Sequence, residues 1–166
     1  PGERDLGPAQ ALQLDDDMRQ HLAEGNAVLL RHGPDEPPRR AIGTAVLVQP
    51  RQAVEQGADL VLFPELLVHG HCTPNTWELA EAVPDGPSVR RLIELAGRHG
   101  LFLSVGLSEK QNDLVYNTQI LVGPKGYIGK QRKIHLSRDE VLFYKGGREL
   151  PVFDIGKCKV GTVICY

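Results

Sequence analysis

Val160-Gly161-Thr162-Val163-Ile164-Cys165-Tyr166 is the stretch on which the fold turns. Val, Ile and Thr dominate it, so it is predicted to be a buried strand. A thiol stands at its carboxyl end, and in open α/β sheets that edge is where ligands bind. A cysteine nucleophile there needs a base, a cation for developing negative charge and a rigid support, all supplied by the chain before it.

Composition permits this. A chain of 166 residues suits one domain with a sizeable core. The net charge of −2 gives no electrostatic pull toward nucleic acid or an anionic membrane surface. Aromatic residues make up 5%, too few for a base-stacking surface. No apolar run approaches the ~20 residues of a membrane span. Pro1-Gly2-Glu3-Arg4-Asp5 carries no basic-then-apolar signal pattern. The 18 glycines and 12 prolines imply many tight turns. Three cysteines, Cys72, Cys158 and Cys165, argue against a disulfide scaffold and for a reducing, cytoplasmic compartment.

Residues 1–40 differ from the rest. Leu14, Met18 and Leu22 recur at helical spacing, Ala27 to Leu30 suits a short strand, and His32 to Pro38 breaks regular structure as a linker. Strands are then expected at Ala45–Val48 and Asp59–Phe63, separated by a helical turn from Gln52 to Gln56 that ends at Gly57. Ser88 can cap a helix running to about His99, with Val89, Leu92, Ile93 and Ala96 on one face and Gly100 as its stop. Leu101–Leu107 reads as a strand. Leu114–Val122 and Tyr127–Lys130 form a hairpin around Gly123-Pro124-Lys125-Gly126. Val152–Ile155 precedes the final strand. This order indicates an α/β fold with mixed sheets.

Four residues suit acyl transfer. Glu65 ends a buried strand after a proline, Lys133 sits among apolar neighbours, Glu140 follows it, and Cys165 is the thiol. Singly, each has a plainer reading: a loop-capping carboxylate, a snorkelling surface lysine, a solvated charge and a small core hydrophobe. Together they supply nucleophile, base, oxyanion cation and second carboxylate. His69, His71 and Cys72 match no familiar zinc spacing, so a loop near the substrate entrance is expected and no metal.

Three blocks, Gly57-Ala58-Asp59-Leu60-Val61-Leu62-Phe63-Pro64-Glu65, Gly129-Lys130-Gln131-Arg132-Lys133-Ile134-His135-Leu136 and Gly161-Thr162-Val163-Ile164-Cys165-Tyr166, occur in an order that resembles the nitrilase superfamily of carbon–nitrogen hydrolases. The resemblance covers residues 45–166. It implies an α-β-β-α sandwich with Glu65 as general base, Lys133 as oxyanion cation, Cys165 as nucleophile and Glu140 as second glutamate. Asn117 and the Tyr166 backbone N–H are the implied oxyanion and substrate contacts. Tyr after the nucleophile is similar to the amidase and carbamoylase branches. The implied substrate is a small amide or N-carbamoyl compound, with no cofactor and a homo-oligomeric full-length form.

The departures shape a second reading. Only Pro50 to Gly57 separates the first two strands, residues 1–40 form a non-matching extension and linker, and the family's second half has no counterpart in 41–166. A partial domain, the amino-terminal part only, is expected. The alternatives are a non-catalytic truncated or diverged subunit or fragment and, third, a small-ligand binding module.

Overall fold

Residues 28–30, 50–55 and 57–165 are described by a computed structural model. The helix expected around Leu14–Leu22, the strand expected at Ala45–Val48 and Tyr166 lie outside the described residues.

A five-stranded mixed sheet carries the structure, in the order β1 (Val28–Leu30), β2 (Leu60–Leu62), β3 (Phe102–Gln111), β4 (Leu114–Gly123), β5 (Gly126–Arg132). Helix α1 (Pro50–Glu55) ends close to Gly57, whose φ of 69° is the left-handed conformation that glycine takes without penalty. β2 and β3 are parallel, with Leu60 opposite Phe102, so a crossover must join them. The short α2 (Thr76–Leu79) and the longer α3 (Pro87–His99) lie on that crossover.

α3 forms as expected on its apolar face and stop, but not at its start. Val89, Leu92 and Ala96 are buried, and Gly100 ends the helix at φ 66°. The cap is Gly86 with Pro87 behind it, not Ser88. Ser88 falls inside the first turn, where its N–H donates to Glu81 Oε2 at 2.9 Å. A distant carboxylate thus serves the first turn of the helix, where a local side chain was expected to do so.

β3 runs on to Gln111, beyond the apolar stretch ending at Leu107. Gln111 pairs with Leu114 across a two-residue turn in which Asn112 has φ 53°. One face of the sheet places Val61, Leu103, Val105, Leu107, Ile120 and Val122 against Val89, Leu92 and Ala96 of α3. The other face packs Leu60 and Leu121 with Phe102 and Ile128 against Phe153, Ile155 and Val160. Gly129 admits the Phe153 ring, which a Cβ would strike. These layers, helix, mixed sheet and hairpin, are the α/β arrangement expected from the order of the elements.

The final segment departs from expectation. The strand is only β7 (Lys159–Gly161), and it pairs with β6 (Val152–Asp154) in a separate two-stranded sheet. β6 begins at Val152, opposite Gly161, so residues after Gly161 have no β6 residue to bond. Val163 is 74% exposed while Ile164 is buried. Alternation therefore marks a real inward position, but not a continuous buried strand.

Candidate active site

Strand geometry places the first two residues. Asn117 lies in β4, and Lys133 follows β5 directly, its backbone N–H donating to Asn117 O at 2.8 Å. Glu65 arrives on the turn after β2. Phe63 N–H donates to Ser104 O and Val68 N–H to Gly106 O, so the turn lies on β3. Gln119 Nε2 adds a bond to Phe63 O at 3.1 Å. Gly106 makes this close approach possible, because a Cβ there would collide with backbone atoms of Pro64, Glu65 and Leu66. Glu140 opens a 3₁₀ turn, Glu140–Leu142, and is wholly buried.

These four residues meet. Lys133 Nζ donates to Glu65 Oε1 at 2.8 Å and to Glu140 Oε1 at 2.8 Å. Asn117 Nδ2 donates to Glu65 Oε1 at 2.6 Å and to Glu140 Oε1 at 3.1 Å. Ser137 N–H donates to Glu140 Oε2 at 2.7 Å. Each carboxylate is thus gripped by the same ammonium and the same amide, which locks their relative position. Asn117 was expected among the oxyanion contacts; here its amide nitrogen serves the two carboxylates. Lys133, which alone resembled a surface lysine, is 2% exposed, and Glu140 is not the solvated charge its isolated position suggested.

Burial opposes charge on Lys133, but the hydrogen bonds to Glu140 and Glu65 outweigh it and hold the ammonium pKa above its usual range. Burial likewise opposes ionisation of Glu140, yet Lys133 and Ser137 bring its carboxyl down to about 2. The pair is ionised at neutral pH, so the cluster offers a fixed cation and carboxylate acceptors.

Cys165 is exposed, and its φ of 57° is strained for a residue with a side chain. The hydrogen bonds that build the cluster do not draw on it. Leu66 at φ 52° and Cys72 at φ 49° carry the same strain beside the cluster. Such backbone strain concentrates at functional sites. Cys72 lies in the field of the cluster: burial first, then Glu140 and Asp139, push its thiol up.

Three further contacts, made by two histidines, were not legible from spacing. His71 Nε2 lies 3.4 Å from Glu140 Oε1, putting the His-rich loop at the cluster's edge. His69 Nδ1 accepts from Ser108 N–H at 3.0 Å, and its Nε2 is 3.7 Å from Glu81 Oε1. Glu65, His71 and Glu140 bring three possible ligand atoms within 4.8 Å, but Lys133 already holds the cation position between the carboxylates.

The carbon-nitrogen hydrolase family profile matches residues 19–166, a span that includes every residue above. A nitrilase of Pyrococcus abyssi is 39% identical over 120 residues, covering 70% of this chain and 46% of that protein. Omega-amidase NIT2 of Xenopus tropicalis is 35% identical over 127 residues, again covering 70% of this chain and 46% of its own. The chain thus spans about half the length of these relatives. A CN-hydrolase superfamily protein of Xanthomonas campestris, solved with an arsenic adduct in its active site, superimposes with a TM-score of 0.60 at 28% identity, covering 66% of this chain and 41% of that one. With a profile match over most of its length and a fold to agree, the chain belongs to the carbon-nitrogen hydrolase family, within the nitrilase superfamily.

Proposed function

We propose that the protein hydrolyses a non-peptide carbon–nitrogen bond in a small amide or N-carbamoyl compound through a cysteine thioester. The observation that carries this reading is the Lys133 ammonium held 2.8 Å from both Glu65 and Glu140. Glu65 is the carboxylate of this pair with solvent access, 27% exposed, so it is the one able to exchange a proton with a reactant.

In the proposed cycle Glu65 takes the Cys165 thiol proton as sulfur attacks the carbonyl carbon. Lys133 and the Tyr166 backbone N–H stabilise the tetrahedral oxyanion. The C–N bond breaks as Glu65 returns the proton to nitrogen, releasing ammonia or an amine. Water, deprotonated by Glu65, then cleaves the thioester to the acid and the free thiol. Glu140 and Asn117 hold Lys133 and Glu65 in register. No cofactor enters this scheme. Free cysteines suit a reducing, cytoplasmic setting, and a homo-oligomer is proposed for the full-length form.

The exposure of Cys165 favours one competing reading, a subunit or fragment in which the thiol is not engaged. Ammonia release from small amides by the full-length protein, with and without Cys165→Ala, decides between them. Turnover lost with Cys165→Ala is expected; undiminished turnover in that variant rejects the thioester route.

A further inference from the structure

Beside β5, lined by residues other than those of the carboxylate cluster, lies a cavity of about 420 Å³. Arg132 and Lys133 are consecutive, so their side chains leave the backbone on opposite faces. Lys133 goes to Glu65 and Glu140, whereas Arg132 goes to Glu109 and lines the cavity with Lys130, Lys145 and Arg148. The far wall is the segment around Gly146 and Gly147. Gly147 N–H donates to Lys133 O at 2.8 Å, and a Cβ at Gly147 would strike Arg132. These glycines bring two cationic residues, Lys145 and Arg148, to the edge of the sheet.

The cations differ in how they are held. Glu109, fully buried, accepts from Arg132 Nε at 3.0 Å, from Arg132 Nη2 at 2.5 Å and from Lys130 Nζ at 2.5 Å. Gln111 Oε1 takes a second bond from Arg132 Nη2 at 2.6 Å, and the guanidinium lies 3.7 Å over the Tyr116 ring. The guanidinium is therefore fixed in orientation, and its Nη1 has no acceptor among the described residues. Lys145 and Arg148 have no carboxylate partner among the described residues. Set against Glu109 and Glu149, the four cations leave a net two positive charges at the cavity. Gln131 also lines it, and its buried Oε1 has no donor among the described residues.

We propose that this cavity binds a small oxyanion of about two negative charges, with hydrogen phosphate as its simplest form. The oriented Arg132 supplies the directional contact, and Lys145 and Arg148 supply charge able to close on the ligand. The site is separate from amide hydrolysis, so it stands or falls independently of the proposed reaction.

Isothermal titration of the full chain with inorganic phosphate, at neutral pH and constant ionic strength, tests it. Saturable binding is expected, weakened about tenfold or more in the Lys145→Gln/Arg148→Gln double variant. Both residues lie outside the core, so the variant is expected to keep its circular dichroism and thermal transition. Lys125→Gln, in the β4–β5 turn, should bind as the parent does. Absence of saturable binding overturns the proposal. So does an equal loss in Lys125→Gln, which would reduce the effect to diffuse surface charge.

Discussion

Lys133 Nζ lies 2.8 Å from Glu65 Oε1, although 68 residues separate the two in sequence. The contact exists because the turn after β2 rests on β3 while Lys133 continues the ladder from β5 to β4. Glu140 completes it from a third segment, so three stretches of chain converge on one ammonium.

Replacing Lys133 with Ala leaves two carboxylates sharing one site without their ammonium, with Asn117 and Ser137 as the remaining short hydrogen-bond donors among the described residues. Turnover of an amide substrate by the full-length protein is expected to fall on the order of 10²–10³. The acid limb of the rate profile should also move to higher pH, because neighbouring carboxylates without their cation ionise less readily. A variant with parental rates and an unmoved acid limb would separate Lys133 from the chemistry.

Acid stability should report Glu140. Its folded pKa of about 2 lies below the ordinary 4.5, so the folded state gains stability above the unfolded value and loses it as pH falls toward 2. Lys133 works in the opposite sense: its folded pKa is raised, so its contribution is present below 10.5 and is lost only as pH climbs past that value. Urea unfolding between pH 5 and about 2 should show a fall in stability that Glu140→Gln flattens. The same variant, measured near neutral pH, should be destabilised by about 3 kcal/mol, the lower end of what breaking a buried ion pair costs.

Gly106→Ala should damage the site out of proportion to the fold. The new methyl meets backbone of Pro64, Glu65 and Leu66, which cannot swing aside as a flexible side chain would. The turn must lift, taking Glu65 from Lys133. A drop in kcat larger than any rise in KM, with the sheet's circular dichroism retained, is the expected pattern. Parental kcat would show that the Glu65 turn has room to relax.

The two cysteines near strained backbone should behave differently. Burial, Glu140 and Asp139 raise the Cys72 thiol, so alkylation at neutral pH should be slow there. Cys72→Ser is expected to retain most turnover in the full-length protein and Cys165→Ala to lose it. The reverse pattern would transfer the nucleophile to the His-rich loop.

Much of the framework was legible in residue order. Apolar runs marked β2, β3 and β4, and Gly100 marked the end of α3, because burial periodicity and left-handed glycine are local properties. The identities of Glu65, Lys133, Glu140 and Cys165 were visible as a chemical set, and their order carried the family resemblance. What local sequence lacks is any measure of distance. That Asn117 bridges both carboxylates, that His71 reaches Glu140, and that Glu81 rather than Ser88 satisfies the first turn of α3 all depend on which strands pair and in what register. The last apolar run shows the limit most directly. Val160 to Ile164 has strand composition, but a strand needs a partner, and β6 offers residues only as far as Gly161. The residues set the chemistry available to this protein, whereas hydrogen-bonded pairing decided which groups face one another, because a backbone donor or acceptor is satisfied by position in space and not by composition.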